Sequence, residues 1–293
     1  TVRPLFFPGG DIGSLSVAGT VNDVAVMGAR PLALSLALVL EEGLDMETVE
    51  RVAASVGRTS AAAGVPVVTG DTKVMERGQV AGMVVNPSCI GVRPPSLDAS
   101  LEVVRRSRPF DGRWPSDSSL APGDIIIITG SVGDHGIALL SFREGYGFDS
   151  DLVSDVAPLN RAVDAALGAG GVTAMKDPTR GGLANTLNEW ADKSGVSLLV
   201  REDDIPVKPA VTAACDMLGF SPYEIGNEGK LVLAVVPEAA EGMLAALRGV
   251  PGCEGSALIG EVVEGSPGVV LETVVGGRRV MEAPAGDPIP RIC

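Results

Sequence analysis

Five polar stretches carry side chains able to do chemistry. "FFPGGDIG" (6–13) sets two glycines before Asp11, which suits either a tight turn with an Asx cap or an anion loop. "VNDVAVMG" (21–28) puts Asn22 and Asp23 in an otherwise apolar helical pattern. A buried polar pair is costly there, so a capping role competes with a metal or phosphate role. "VVTGDTKV" (67–74) runs from an apolar strand into a turn of Gly70, Asp71, Thr72 and Lys73. Open α/β folds place ligands at strand C-terminal ends, although chance also produces such turns. "MKDPTRGG" (175–182) ends in a glycine pair that opens a helix. Thr179, Arg180 and the free N–H groups of the two glycines would suit a phosphate or oxyanion. "IGNEGKLV" (225–232) holds Glu228 in a glycine-flanked turn, where a solvated acid is the plainer reading. By residue type, Asp23 and Asp71 offer hard oxygen ligands for Mg²⁺.

The chain ends in "PIPRIC", so Cys293 is its last residue. An exposed terminal thiol invites oxidation, which makes it an odd choice without a use. Cys89 in "VVNPSCIGV" and Cys215 beside Ala213 and Ala214 read as core packing, and Cys253 in "PGCEG" reads as exposed. No CxxC pair occurs and His135 is the only histidine, which argues against a zinc knuckle. His135 has no nucleophile elbow near it and reads as a structural residue of its turn. Neither GxxxxGK[ST] nor GxGxxG is present.

A net charge of −14 argues against nucleic-acid partners, while glycine loops and Mg²⁺ can still hold phosphate locally. Few, scattered cysteines suggest a reduced, cytoplasmic setting. No apolar run is long enough to cross a bilayer and no secretion leader opens the chain. Residue 1 reads as lying inside a strand, so the natural protein is expected to begin earlier.

These residues need elements to position them. The 293 residues suit two domains. Residues 1–92 alternate helical and strand patterns: a helix over 16–31 stopped at Gly28, a buried strand over 32–40, an amphipathic helix over 45–64, and strands over 65–74 and 78–92. Residues 93–122 are rich in Pro, Ser and charge with little periodicity, and read as a linker carrying a surface insertion. Residues 123–282 form a second α/β domain. Residues 283–293 read as a flexible tail without an apolar face. From Pro284 to Cys293 such a tail could span roughly 30 Å.

In order along the chain, "FFPGGDIG", "GTVNDVAVMGARP", "VTGDTKV", "GDHG", "DPTRGG", "NEGKLV", "LIGEV" and terminal "PRIC" resemble the HypE family of hydrogenase maturation proteins, also called carbamoyl dehydratases. The resemblance covers nearly the whole chain. "NDVA" and "GDT" alone indicate only the wider group built like aminoimidazole ribonucleotide synthetase, and "PRIC" discriminates within it. The family's glycine-rich "HGSGG"-like stretch and its "TDS"-like aspartate are not in this sequence.

The resemblance implies a two-domain α/β (α+β) fold, a homodimer paired through the first domain, and ATP and Mg²⁺ as cofactors. It implies dehydration of an S-carbamoyl group on Cys293 to a thiocyanate, supplying cyanide for a nickel–iron hydrogenase. HypF would donate the carbamoyl group and the HypC–HypD iron scaffold would accept the cyanide. Lys73 would then face charge developing on the transferred phosphate, and Glu228 would act as base at the carboxamide nitrogen. Asn22, Thr72, Thr179 and Arg180 would contact nucleotide or substrate, beside Asp23 and Asp71 at the metal. Two other readings stay open: a small-molecule kinase or synthetase of the same superfamily, and a non-enzymatic scaffold presenting a thiol.

Overall fold

The computed structural model describes residues 1–146, 151–286, 288–289 and 292. Residues 1–5 contain no strand, contrary to the sequence expectation, although Val2 is buried. A short hairpin, β1 (Phe6–Phe7) and β2 (Gly10–Asp11), leads directly into α1 (Ile12–Val26). Asp11 is the N-cap of α1 and forms a reciprocal capping box with Ser14. The Asx-cap reading of "FFPGGDIG" therefore holds.

β3 (Arg30–Glu41), α2 (Met46–Ala63), β4 (Val67–Met75) and β5 (Met83–Val92) follow. Asp45 caps α2, and Gly64 closes it in the left-handed conformation at φ 69°. The three strands form one sheet in the order β4–β3–β5, with β3 parallel to β4 and antiparallel to β5. Leu34, Leu36, Leu38 and Leu40 of β3 pack into a core with residues of α1 and α2. Most of β3 is half-buried rather than buried, because its other face carries no such cover.

The region 93–122 departs from its sequence reading. α3 (Pro95–Ser107) forms there, with Leu97, Leu101 and Val104 fully buried. Their i, i+4, i+7 spacing is an apolar stripe that flanking Pro and Arg residues obscure. It packs against α5 (Asn160–Ala169), so the segment belongs to the core rather than to a surface insertion.

Beyond it lie β6 (Ile125–Ile128), α4 (Asp134–Glu144), α5, β7 (Val172–Lys176), α6 (Gly182–Ser194), β8 (Ser197–Arg201), α7 (Pro209–Leu218), β9 (Val232–Val235), α8 (Ala240–Arg248), β10 (Ala257–Val263), β11 (Gly268–Glu272) and β12 (Arg278–Val280). Seven strands pair in the order β12–β11–β8–β10–β6–β9–β7, with only β11–β8 parallel. Ile126 and Ile128 of β6 face a core with Trp190 of α6, while Ile127 faces one with α3, α5 and α8. Both faces are thus covered, and each fully buried isoleucine contributes about 2–3 kcal/mol.

The C-terminal segment also departs from expectation. Ile289 and Ile292 are 1% and 2% exposed and join the core that α1, α2, α4 and α7 share. Among the described residues no helix is long and apolar enough to cross a membrane.

Candidate active site

The site forms where three distant loops meet. Residues 225–229 lie just before β9, residues 177–181 join β7 to α6, and residues 154–159 precede α5. Asn227, fully buried, ties these loops to the start of α4. Its side-chain oxygen accepts the Gly133 N–H at 2.8 Å, and its amide nitrogen donates to the carbonyls of Pro178 and Ile225, each at 3.1 Å. Its main-chain N–H also donates to Pro178 O. Asp155 fixes the neighbouring turn, accepting the N–H groups of Glu228 at 3.1 Å and Gly229 at 3.3 Å. Lys230 lies 3.4 Å from the same carboxylate.

α1 closes the site from the other domain. Asn22 donates to the carbonyls of Ala157 at 3.1 Å and Glu228 at 3.5 Å, and accepts the Leu159 N–H at 2.7 Å. Its buried amide is satisfied by the protein itself. Asn22 thus clamps the two domains together, and its amide is occupied by the protein rather than free for the nucleotide or substrate contact the family resemblance implied. One turn face away, Asp23 lines a cavity of about 230 Å³ with Gly19 and Thr20 of α1, Val85 and Pro87 of β5, and Glu228.

Glu228 is 3% exposed, not a solvated hairpin acid, and among the described residues its Oε1 has no hydrogen-bond partner. Burial raises its carboxyl well above the usual range, and the charges of Asp155, Asp177 and Asp23 raise it further. Asp177 is pushed up to about 6, chiefly by burial and then by Asp23. Asp23 keeps an exposed edge, yet desolvation on its cavity side raises its carboxyl too. Among the described residues the site gathers four acids, Asp23, Asp155, Asp177 and Glu228, whose burial and mutual repulsion favour the protonated form of Glu228. Among the described residues no three acids converge closely enough to hold a metal as a ready-made cage. Mg²⁺ does not require one, because it binds through one or two carboxylates plus substrate phosphates. This donor set fits that mode.

The 67–74 stretch is placed differently from its sequence reading. Asp71, Thr72 and Lys73 lie within β4, not in a turn after it, and all three are exposed. Asp71 pairs in register with Ala37 and Lys73 with Val39, whereas the core-facing leucines of β3 pair with Gly70, Thr72 and Val74. Alternation therefore directs Asp71 and Lys73 to the sheet face turned away from α1. Within one chain Asp23 and Asp71 lie on opposite sides of this sheet and do not form a joint metal site. Among the described residues no hydrogen bond or ion pair links Lys73 to Glu228.

Thr179 is half-buried in the loop before α6, and Arg180 beside it is exposed. Both border Asp177, close to the acid cluster. Asp177, Asp155 and Asn227 are functional candidates that sequence reasoning did not single out. Asp177 could have been found, since it ends an apolar strand before a Pro turn. Asp155 sits between Val153 and Val156 with no periodicity or turn pattern to mark it.

Cys293 lies outside the described residues. Its neighbour Ile292 packs against the Glu228 loop: a Cβ added to Gly226 would lie 2.8 Å from Ile292 Cδ1. His135 is buried in α4, with Nδ1 2.8 Å from Ser154 Oγ and Nε2 2.8 Å from the Ile292 carbonyl oxygen. It reaches Ser154 and the C-terminal segment, not only its own turn as its sequence suggested. Cys215 is buried and Cys89 half-buried, whereas Cys253 is 5% exposed, contrary to the exposed turn expected of it.

Comparison with known proteins adds an independent line. Residues 1–93 match the family model of the AIR synthase related protein N-terminal domain, and residues 121–272 that of the C-terminal domain. The carbamoyl dehydratase HypE of Rhizobium leguminosarum bv. viciae is 46% identical over 295 residues, covering 100% of this chain and 80% of the relative. A crystal structure of the hydrogenase maturation protein HypE in complex with ATP superposes with a TM-score of 0.89 at 44% identity, covering 100% of this chain and 84% of that one. The structure of a HypE–HypF complex contains a chain of 39% identity that superposes at 0.88, covering 97% of this chain and 88% of that one.

Proposed function

The chain belongs to the HypE family of carbamoyl dehydratases, and from that membership we propose that it converts an S-carbamoyl group on its own Cys293 into a thiocyanate at the expense of ATP. The observation that carries this reading is the buried Glu228 carboxyl, whose Oε1 has no partner among the described residues, on the loop against which Ile292, the residue next to Cys293, is packed. The residue preceding the substrate cysteine thus packs on the loop that carries the proton-transfer group.

The chemistry explains the nucleotide. Removing oxygen from a carboxamide as hydroxide is difficult, since water has a pKa of about 15.7. A phosphate ester, with a second pKa of about 6, is a far better leaving group. Phosphoryl transfer to the carbamoyl oxygen releases one nitrogen proton and gives an S-bound imidate phosphate. Loss of the second nitrogen proton with cleavage of the C–O bond expels phosphate and leaves S–C≡N. The net change on the protein is the loss of one water. Glu228 is the group placed to exchange protons with the nitrogen. Asp23 and Asp177 are the carboxylates that would hold Mg²⁺, which supplies charge neutralisation on the phosphates. Thr179 and Arg180 border that position and suit phosphate contacts.

Asp71 and Lys73 enter through a second copy in this reading, whereas Thr72, in register with Leu38, lies on the other face of the sheet. The sheet face bearing Asp71 and Lys73 also exposes Ile90, which is 66% accessible, and β4 is an unpaired edge. A homodimer packed through this sheet would cover both and present those polar groups to the partner's site. HypF serves as carbamoyl donor, the HypC–HypD scaffold as cyanide acceptor for nickel–iron hydrogenase, and the setting is the cytoplasm. A kinase or synthetase acting on a free small molecule would have no use for a C-terminal segment packed on the Glu228 loop. A passive thiol scaffold would have no use for the acid cluster.

The test is mass spectrometry of the carbamoylated full-length chain after incubation with Mg-ATP. The expected result is loss of one water from the C-terminal peptide. That loss should disappear in Cys293→Ser and persist in Cys89→Ser. A loss persisting in Cys293→Ser would overturn the reading.

A further inference from the structure

We infer that His135 is a positioning residue for the C-terminal segment, acting with two sockets that receive Ile289 and Ile292; this rests on Cys293 being the reacting residue.

The donor direction at His135 is fixed by its partners. The Ile292 carbonyl oxygen can only accept, so Nε2 must carry the proton. Nδ1 then accepts from the Ser154 hydroxyl, whose oxygen in turn accepts the Val156 N–H at 3.1 Å. Phe7 meets the imidazole edge to face, with ring centroids 5.6 Å apart. Ring orientation is thus set on two sides by Ser154 and Phe7, outside the C-terminal segment, while the segment's own Ile292 carbonyl selects the tautomer. The bonded carbonyl belongs to the peptide link between Ile292 and Cys293. His135 therefore holds the covalent neighbour of the reacting residue.

The sockets depend on two missing side chains. A Cβ on Gly136 would sit 3.2 Å from Ile289 Cδ1 and 2.5 Å from Ile225 Cγ2. A Cβ on Gly226 would sit 2.8 Å from Ile292 Cδ1 and 2.7 Å from the Thr179 carbonyl oxygen. Only glycine leaves room at both positions, and each socket borders a loop of the acid cluster. Ser154, the anchor of His135, directly precedes Asp155, which holds the Glu228 N–H. One short path therefore joins the tail anchor to the candidate base. The physical role is to reduce the freedom of a segment that must present its last residue at one place.

The test compares four full-length chains: wild type, His135→Leu, His135→Gln and Ile292→Ser. Leu has no donor, whereas the Gln amide can reach the Nε2 position. Ile292→Ser changes only the segment itself, so it remains informative if His135→Leu folds poorly. The first readout is the alkylation rate of Cys293 by iodoacetamide, followed by mass spectrometry, with circular dichroism checking the fold. Losing one buried hydrogen bond or one apolar anchor should speed labelling about tenfold. Gln should keep the rate within about threefold of wild type. The second readout is single-turnover loss of water from the carbamoylated chain, which should slow about tenfold in His135→Leu and recover in His135→Gln. Wild-type labelling in both His135→Leu and Ile292→Ser would overturn the proposal. So would His135→Gln labelling as fast as His135→Leu, which would reduce His135 to packing. Faster labelling in the variants, with no loss of water even in wild type, would support the dock and sink the dehydration reading alone.

Discussion

The carboxylate of Asp155 accepts the main-chain N–H of Glu228 at 3.1 Å and, after burial itself, is the largest influence raising the Glu228 side-chain carboxyl. One acid thus fixes where the other stands and makes it hold its proton. Asp155 has Lys230 and two N–H groups to satisfy it, whereas Glu228 Oε1 has no partner among the described residues. Two neighbouring carboxyl groups from separate loops acquire different tasks from their surroundings alone.

Glu228→Gln should remove the proton-exchanging group while keeping its shape. Loss of water from the carbamoylated chain should slow by at least about a hundredfold. Stability should hold or rise at alkaline pH, because Gln cannot ionise and so escapes the cost of deprotonating a buried acid beside three others. Single-turnover mass spectrometry and urea denaturation check the two halves.

Asp177 gives a pH signature. Its folded-state carboxyl stands at about 6 against an ordinary 3.8. As pH rises between these values the unfolded chain releases this proton and the folded chain keeps it. Stability from this group is therefore full below about pH 4 and is lost as pH rises toward 6. Asp177→Asn should remove roughly 2 kcal/mol of that decline, allowing for solvent at its open edge. Urea midpoints from pH 4 to 7 measure it.

Asn22→Leu should destabilise the protein by about 3 kcal/mol, since it strands the Leu159 N–H and the carbonyls of Ala157 and Glu228. The same change should loosen the Glu228 loop. Denaturant melts with hydrogen exchange at residues 225–231 are the measurement.

Subunit mixing tests whether the site is shared. Lys73→Ala and Glu228→Gln should each be inactive alone. If Lys73 serves a partner's Glu228, equal mixing places half the chains in mixed dimers, each with one intact site. About a quarter of wild-type activity should then return. No recovery after verified subunit exchange would place both residues in one chain's site, against the sheet geometry.

Sequence alone determined what is written within a few turns of chain. The Asp45 cap, the apolar stripe of α2 and the Gly64 stop define that helix locally. The kinds of chemistry were also legible, since Asp23, Glu228 and a terminal Cys293 are choices of residue type. Even the Leu97, Leu101, Val104 stripe was present, although its Pro-rich and Arg-rich flanks hid it. Tertiary structure decided the rest. Positions 23, 155, 177 and 228 become one charged neighbourhood only when α1 closes on loops from the other sheet. Strand register, not spacing, put Asp71 on the opposite face from Asp23. Ile289 and Ile292 read as tail residues because no neighbour in sequence tells them of the grooves beside Gly136 and Gly226. The physical reason is common to all of these. Helix caps and stripes depend on bonds to residues three or four away. Desolvation, charge repulsion and socket shape depend on atoms contributed from a hundred residues away.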